Sequence, residues 1–376
     1  MSKAIRQGRG GLDDQAARVA ALQIRMAKWK ASALLVSNPR DIRYLTGFVG
    51  DDSWAIVRQD ESRVELLSDF RFEEQIQREA PQARAHMRKK GLVEELEKLV
   101  KGLRIRRLAL QAQHITLAQR QKLVKALGAK RLTAVDDGLL EQRAVKTPDE
   151  VAAIRKALDI QQQAYRNTLK FIRPGAPGQT EAHIAAYLEY QMRTLGADGT
   201  SFPSIVAADA NAALPHAIPG ATTVKRHGIV LIDWGARWGG YCSDLTRVVA
   251  LGQMPAKLRE VYKVVLDAQL AAIAAIAPGK SLKKVDGVAR AIIRKAGYAK
   301  RFGHGLGHGI GLDIHEQPVL SHRADGVLRP GQIVTVEPGI YLPGIGGVRI
   351  EDDVLVTDHG HQVLSDLPKD LESAII

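Results

Sequence analysis

The sequence predicts an α/β protein of two domains, because helical and strand patterns alternate along a chain of 376 residues, which is more than one domain usually takes. Hydrophobic residues make up 45% and charged residues 25% of the chain. These values are close to the average of globular proteins, so they exclude a disordered or fibrous chain. The elements are therefore expected to pack around substantial cores.

Residues 1–140 are expected to form the first α/β domain. Apolar residues at helical spacing predict helices, and short apolar runs bounded by polar residues predict strands. The predicted helices of this domain span residues 15–30, 93–100 and 116–127, and the predicted strands span residues 31–37, 53–57, 63–67 and 107–112.

A second α/β (α+β) domain is expected over residues 145–376. Its first helix is marked by Thr147 as N-cap, by Pro148 at the first helical position and by two acidic residues in the first turn. The predicted helices span residues 151–171, 181–195, 258–276 and 282–296. Three further regions have strand patterns, and these regions carry the candidate functional residues.

The net charge of +13 raises nucleic acid as a partner. No aromatic-rich platform or groove-reading motif accompanies the charge, so we expect a basic surface without nucleic-acid binding. The longest apolar run, residues 270–277, is far shorter than the about twenty residues of a membrane span. No apolar stretch of a secretory signal follows the basic start, so a cytoplasmic protein without a membrane partner is expected.

The segment 228–249 predicts a β-hairpin with two acidic residues. Its first strand ends with Asp233, a glycine-bearing turn follows, and the return strand carries Asp244. An ionised carboxylate costs several kcal/mol to bury among apolar residues, so each needs a cation or hydrogen-bond donors. A buried ion pair and a metal site both meet this need.

The segment 332–356 predicts a second hairpin, with Glu337 in its first strand and Arg349 and Glu351 in its second. Because strand side chains alternate between faces, Arg349 and Glu351 share one face. Arg349 could then support a carboxylate ligand. An ordinary half-exposed strand would show the same pattern.

Between the hairpins, three histidines lie among closely spaced glycines: His304, His308 and His315. The i, i+4 spacing of the first two is that of a helical zinc site, but each interior glycine costs about 1 kcal/mol of helix stability. We therefore expect His308 on a loop or strand, where the glycines allow close approach of a substrate. A structural role for each histidine is the alternative.

The candidate metal ligands from these segments are Asp233, Asp244, His308, Glu337 and Glu351. Four carboxylates and one imidazole suit Mn, Co, Fe or Zn, and the single cysteine, Cys242, excludes a multi-cysteine site. The formal charge of four carboxylates matches two divalent ions. Two ions about 3.5–4 Å apart can share a water, lower its pKa and polarise a carbonyl. Metal-assisted hydrolysis is the predicted reaction.

Four segments carry a resemblance to a known family: IDWGARWGGYCSDLTR, HGLGHGIGLDIHE, VEPGIY and GGVRIEDDVLV. A fifth, LVSNPRDIRYLTGF, lies in the first half of the chain. In this order and approximate spacing they resemble the pita-bread metallopeptidases, in particular the Xaa-Pro aminopeptidase (aminopeptidase P) and prolidase branch. The resemblance implies a creatinase-like α/β domain at 1–140 and a pita-bread catalytic domain at 145–376.

The resemblance also implies a role for each matched ligand. Asp233 would bind one metal ion, and Asp244 and Glu351 would bridge two. His308 and Glu337 would complete the shell of the other ion.

Other residues would act on the substrate. The resemblance implies that a water between the ions attacks the scissile carbonyl, with Glu337 as proton shuttle. His315 would steady the substrate carbonyl or the tetrahedral intermediate, and His216 would face the substrate. His304 would lie near the residue after the cut, and Arg349 would order the ligand shell.

The implied activity is removal of the N-terminal residue from peptides whose second residue is proline, with two divalent ions, Mn first and Co, Zn or Fe as alternatives, in a homodimer. Prolidase, which cleaves Xaa-Pro dipeptides, shares the metal set and is the alternative. Some prolidases place an Arg four residues after the histidine that His315 matches, whereas this chain has Val319. A non-catalytic binding module is disfavoured, because all the ligand positions are filled.

Overall fold

A computed structural model describes residues 9–136, 138–173 and 179–376, with side chains from residue 14 onward. Its contacts divide the chain into two compact units, of which the first ends at Gln142 and the second runs from Arg143 to Ile376. Both units mix helices with sheets, so the expected α/β (α+β) fold class is confirmed.

The first unit contains a six-stranded mixed sheet in the order β4-β3-β2-β1-β5-β6. Its strands are β1 (Ala33–Val36), β2 (Trp54–Arg58), β3 (Glu65–Ser68), β4 (Arg84–Met87), β5 (Leu108–Gln111) and β6 (Leu132–Val135). The helices of this part of the chain are α1 (Arg9–Lys28), α2 (Pro39–Thr46), α3 (Glu73–Glu79), α4 (Leu92–Gly102), α5 (Leu117–Leu127) and α6 (Gly138–Arg143). Strands β1, β3 and β5 are buried along their whole length, which explains the nearly continuous apolar sequences of β1 and β5.

The predicted strands of this unit correspond to β1, β2, β3 and β5, and the predicted helices correspond to α1, α4 and α5. The two strands that the pattern missed, β4 and β6, lie at the edges of the sheet. Each pairs on one side only and is partly exposed, so its sequence lacks the apolar run of a central strand.

The second unit contains four helices that match the predicted ones: α7 (Pro148–Phe171), α8 (Glu181–Thr194), α9 (Ala256–Ala274) and α10 (Leu282–Lys295). Its strands are β7 (Gly199–Thr200), β8 (Ile205–Ala208), β9 (Ile229–Trp234), β10 (Ala236–Trp238), β11 (Tyr241–Cys242), β12 (Leu245–Ala250), β13 (Gly307–Gly309), β14 (Glu316–Leu320), β15 (Ile333–Val336), β16 (Gly339–Leu342), β17 (Gly346–Arg349), β18 (Asp352–Val356) and β19 (His361–Val363). The larger sheets have the orders β12-β9-β8 and β14-β13-β15-β18-β19. Among the described residues, no helix is both long enough and apolar enough to span a bilayer.

Strand β9 lies between two apolar cores. Ile229 and Leu231 belong to the core that α9 and α10 complete, whereas Val230 and Ile232 belong to the core that α7 and α8 complete. Because side chains alternate along a strand, Asp233 continues the row of Ile229 and Leu231. A carboxylate is thereby directed into the interior of the unit.

Each predicted acid-bearing hairpin is in fact a hairpin within a hairpin. Strands β9 and β12 enclose the short pair β10–β11, and β15 and β18 enclose β16–β17. The prediction that Asp244, Glu337 and Glu351 lie inside strands is therefore wrong: Asp244 directly precedes β12, Glu337 follows β15, and Glu351 precedes β18. The chain changes partners at these positions.

The backbone N–H groups explain the strand breaks. That of Asp244 donates to Asp353 Oδ2 at 3.1 Å, and that of Glu351 donates to the carbonyl of Thr246 at 3.2 Å. The N–H of Glu337 donates to the carbonyl of Leu306 at 2.8 Å. These bonds join different hairpins and the glycine-rich segment, so the acidic residues converge.

Candidate metal centre

Three carboxylates from the two nested hairpins form a cluster. Asp233, Asp244 and Glu351 each offer one oxygen, and these oxygens all lie within 4.8 Å of one another. The structure thus brings Glu351 together with two carboxylates that precede it by more than a hundred positions in the chain.

The cluster has buried oxygens without a hydrogen-bond partner among the described residues. Within the described part of the chain, Asp233 Oδ1, Asp244 Oδ1 and Glu351 Oε1 have no hydrogen-bond partner. Burial and the surrounding carboxylates raise the pKa of both Asp244 and Glu351 well above the usual range. Uncompensated buried oxygens of this kind fit divalent cations, whose charge would offset the repulsion.

His308 and Glu337 lie beside the cluster. His308 is on β13, as expected for a loop or strand residue, and its Nε2 lies 3.7 Å from Asp244 Oδ2 and 3.4 Å from Glu337 Oε1. Its Nδ1 lies 3.1 Å from the carbonyl of Gly309, which can only accept, so Nδ1 carries the hydrogen and Nε2 is free to bind a metal ion. Burial lowers the pKa of His308 to about 4 and raises that of Glu337 to about 8.

The glycines around His308 serve strand packing. A Cβ on Gly307 would collide with the carbonyl oxygen of Thr335, and one on Gly309 with that of Gln317. The expectation that these glycines admit a substrate is therefore corrected. They admit β14 and β15, which approach β13 from either side.

Arg349 connects the carboxylates to one another. Its Nη2 donates to Asp233 Oδ2, and its Nε donates to Thr246 Oγ1 at 3.1 Å. The Thr246 hydroxyl in turn donates to Glu351 Oε2 at 2.6 Å. Arg349 Nη1 donates to the Tyr341 hydroxyl at 2.7 Å. Burial raises the pKa of Asp233, against the opposing charge of Arg349.

The sequence patterns did not indicate Thr246 and Tyr341 as site residues. Thr246 follows Asp244 by two residues and pairs with Asp233 across β9 and β12, so strand alternation could have placed it on the same face. Tyr341 lies in an apolar strand, where no pattern of chemical groups distinguishes it from a core residue.

The remaining histidines lie around the same centre. The ring centroids of His315 and His308 are 4.4 Å apart. Burial, and then the charges of Arg349 and other neighbours, lower the pKa of His304 to about 4. Burial also lowers the pKa of His315, and the charge of His216 contributes to this decrease. The structure thus places the predicted site residues together in the second unit.

Comparisons with known proteins match both units. The model for "Metallopeptidase family M24" matches residues 152–358, and the model for "Creatinase/Prolidase N-terminal domain" matches residues 18–145. The uncharacterized peptidase YqhT of Bacillus subtilis (strain 168) is 36% identical over 338 residues, which cover 90% of this chain and 94% of the relative.

Two solved structures are similar over almost the whole chain. The Xaa-Pro dipeptidase from Bacillus anthracis has a TM-score of 0.91 at 36% identity, covering 96% of this chain and 100% of that one. The X-Pro aminopeptidase from Thermotoga maritima MSB8 has a TM-score of 0.84 at 36% identity, covering 91% and 97% of the two chains.

Proposed function

Because the chain belongs to metallopeptidase family M24, we propose that it is an Xaa-Pro aminopeptidase, which releases the N-terminal residue from peptides with proline at the second position. The observation that carries this proposal is the cluster of Asp233, Asp244 and Glu351, with one unsatisfied buried oxygen on each carboxylate. Asp233 would bind one ion, and Asp244 and Glu351 would bridge two. His308 and Glu337 would complete the set of ligands around the other ion.

Two bound divalent ions, which we propose to be Mn, would supply a water of lowered pKa and a polarised scissile carbonyl. The protein would then move protons and orient the substrate. Glu337 would accept the proton of the water and pass it to the leaving nitrogen. His315 and His216 would donate hydrogen bonds to the oxygen on which negative charge develops.

Position 319 supports the choice of aminopeptidase over prolidase. Val319 pairs directly with His308 across β13 and β14, so its side chain is on the same face of the sheet. A dipeptidase must bind the free carboxylate of its substrate, and an apolar, partly exposed Val319 cannot do so. Prolidase remains the second candidate, because the Xaa-Pro dipeptidase structure is as similar in sequence as the aminopeptidase.

The experiment that tests the activity compares two substrates. The purified protein is stripped of metal, reloaded with Mn, Co, Zn or Fe, and assayed on an Xaa-Pro dipeptide and an Xaa-Pro-Xaa tripeptide. We expect Mn-dependent cleavage of the tripeptide. Cleavage of the dipeptide alone would make the protein a prolidase, and no cleavage with any ion would refute the proposed activity.

A variant sharpens the distinction between the two peptidases. Val319→Arg adds a cation beside His308, and we expect the dipeptide-to-tripeptide ratio of kcat/KM to rise about tenfold, which corresponds to one charge-assisted hydrogen bond. Val319→Met is the matched control, because it adds length without charge. An unchanged ratio in Val319→Arg would show that position 319 does not contact the end of the substrate.

We also propose that the protein is a homodimer. The first unit, which ends at Gln142, would be structural or would form the dimer contact. Sedimentation at micromolar concentration is expected to give twice the chain mass of 41.0 kDa. A purely monomeric protein under these conditions would contradict the proposal.

A further inference from the structure

Helix α10 carries an ion pair that is neither among the proposed metal ligands nor among the proposed proton-transfer residues. Asp286 and Arg290 lie one turn apart, and Arg290 Nε and Nη2 donate to the Asp286 carboxylate at 2.6 and 3.0 Å. Asp286 is completely buried, and the Arg290 side chain is 25% exposed. Both side chains also bind the backbone of residues 302–306, the segment that leads into β13.

This segment is held at alternate residues. Asp286 Oδ1 accepts the N–H of Leu306 at 3.1 Å, and Arg290 donates to the carbonyls of His304 and, at 3.3 Å, of Phe302. The guanidinium also lies over the Phe302 ring, with Cζ 4.3 Å from the centroid. Hydrogen bonds from or to a charged group are stronger than neutral ones, so the ion pair fixes this backbone firmly.

The fixed backbone determines the state of the His304 ring. His304 Nδ1 lies 2.8 Å from the carbonyl oxygen of Gly305, and His304 Nε2 lies 2.9 Å from the Tyr341 hydroxyl. A carbonyl can only accept, so Nδ1 carries the hydrogen, and Nε2 of the neutral ring accepts from Tyr341. Tyr341 in turn accepts from Arg349, which binds Asp233. A chain of hydrogen bonds therefore runs from the segment held by α10 to the carboxylate cluster.

We propose that Asp286 and Arg290 are positioning residues, which fix the tautomer and orientation of His304 and thereby the pocket for the substrate proline. The inference rests on the proposed function, in which His304 lies beside the residue after the cut. An ion pair that only stabilised the fold would have a different effect when it is removed. Its loss would lower the melting temperature but would leave both the KM and the ring tautomer of the folded enzyme unchanged.

The kinetic test uses variants of Arg290 in the Mn-loaded enzyme with an Xaa-Pro-Xaa tripeptide. For Arg290→Met, we expect the KM to rise about tenfold or more and kcat to change less than about threefold, because uniform binding is lost and the metal ligands are untouched. Arg290→Lys keeps the positive charge but has one donor nitrogen in place of three, and it should give an intermediate KM. Arg294→Met, one turn further along α10 at an exposed position, is the matched control and should behave as wild type.

A second readout does not depend on turnover. In protein labelled with ¹⁵N-histidine and loaded with diamagnetic Zn²⁺, the ring nitrogen shifts report the tautomer, and His304→Gln identifies the signal. We expect the Nδ1–H tautomer in wild type and in Arg294→Met, and a mixture of tautomers in Arg290→Met. A wild-type protein that cleaves no Xaa-Pro peptide would refute the proposed function, but the ring signal would still test the positioning role.

The proposal is wrong if Arg290→Met keeps both the wild-type KM and the wild-type tautomer, or if it lowers only the melting temperature. It is also wrong if kcat falls as much as kcat/KM at an unchanged tautomer. If Arg290→Met does not fold, Arg290→Lys and Asp286→Asn provide the same comparison, because each weakens the ion pair while keeping a polar partner for the segment.

Discussion

Glu351 and Asp352 are consecutive residues, each only 1% exposed, yet their surroundings are opposite. Asp352 faces two cations, since Arg247 donates to its Oδ1 at 2.8 Å and Lys369 to its Oδ2. Although burial opposes them, these charges hold the pKa of Asp352 at about 2. Glu351 accepts a hydrogen bond from the Thr246 hydroxyl. Burial, together with the charges of neighbouring carboxylates, raises the pKa of Glu351 well above the usual range.

This difference distinguishes a buried acid that stabilises the fold from a buried acid that is available for chemistry. One residue's step along the chain turns the side chain to the other face. On the face of Asp352 the protein supplies the compensating charge, so the carboxylate holds the fold together. On the face of Glu351 burial and the neighbouring carboxylates outweigh the charge of Arg349, so this carboxylate has the environment that the proposed metal ions would complete.

The largest effect on activity is expected from a substitution of Glu351, whose charge the protein does not compensate. Glu351→Gln removes a proposed bridging ligand, and we expect kcat on an Xaa-Pro-Xaa tripeptide to fall by about 10³-fold or more. The melting temperature of the metal-free protein should stay the same or rise, because a repelled charge is removed. Metal content, kcat and melting curves are measured together. Full turnover in this variant would rule out the two-ion mechanism.

A substitution of Asp352, whose charge the protein compensates, should instead affect stability and leave activity almost unchanged. Asp352→Asn leaves the buried Arg247 and the partly exposed Lys369 without an anion, and we expect a loss of about 3–5 kcal/mol in the free energy of unfolding. The turnover of the molecules that remain folded should change little. Urea denaturation with activity measured below the transition tests both statements. If the variant were as stable as wild type, the ion pairs of Asp352 would not hold the fold.

Metal ions should stabilise only a protein that has an intact cluster. At a free Mn concentration of one hundred times its Kd, we expect wild type to gain about 2.7 kcal/mol of stability for each bound ion, since ligands that bind the native state stabilise it. Glu351→Gln should gain much less, whereas Asp352→Asn should gain as much as wild type. Thermal melts across a Mn series, with EDTA as reversal, provide the measurement. Equal shifts in all three proteins would contradict a metal site at the cluster.

The smallest expected effect is a dependence on pH. The folded-state pKa of Asp352 lies below its ordinary value of 3.8, so its stabilisation is present above that value and disappears as the pH falls toward about 2. The stability difference between wild type and Asp352→Asn should therefore narrow by up to about 2 kcal/mol between pH 5 and pH 2.5. A constant difference over this range would show that the pKa is not depressed.

Much of the candidate site was predictable, because each proposed ligand is a polar residue within an apolar or glycine-rich segment. Asp233 and His308 are the clearest examples of such residues. The breaks in the strands at Asp244, Glu337 and Glu351 were not predictable in this way. Apolar and polar residues alternate over 348–351 without a break, and only the pairing with distant strands decides where one ladder ends and another begins.

Thr246 and the α10 ion pair were hidden for a different reason. A threonine in a strand and an i, i+4 pair on a helix are ordinary in their own elements, and their importance comes from what lies opposite. The same holds for strands β4 and β6, whose place at the sheet edge depends on the whole topology.

The tight packing at Gly307 and Gly309 bears on how variants of this protein should be interpreted. A library covering every substitution would be depleted at these two positions as severely as at the proposed ligands, because any side chain would force β13 away from the neighbouring carbonyls. Intolerance to replacement would then reveal crowding at the glycines and chemistry at the acids. Only a screen that scores folded abundance separately from catalysis could tell these two kinds of essential position apart.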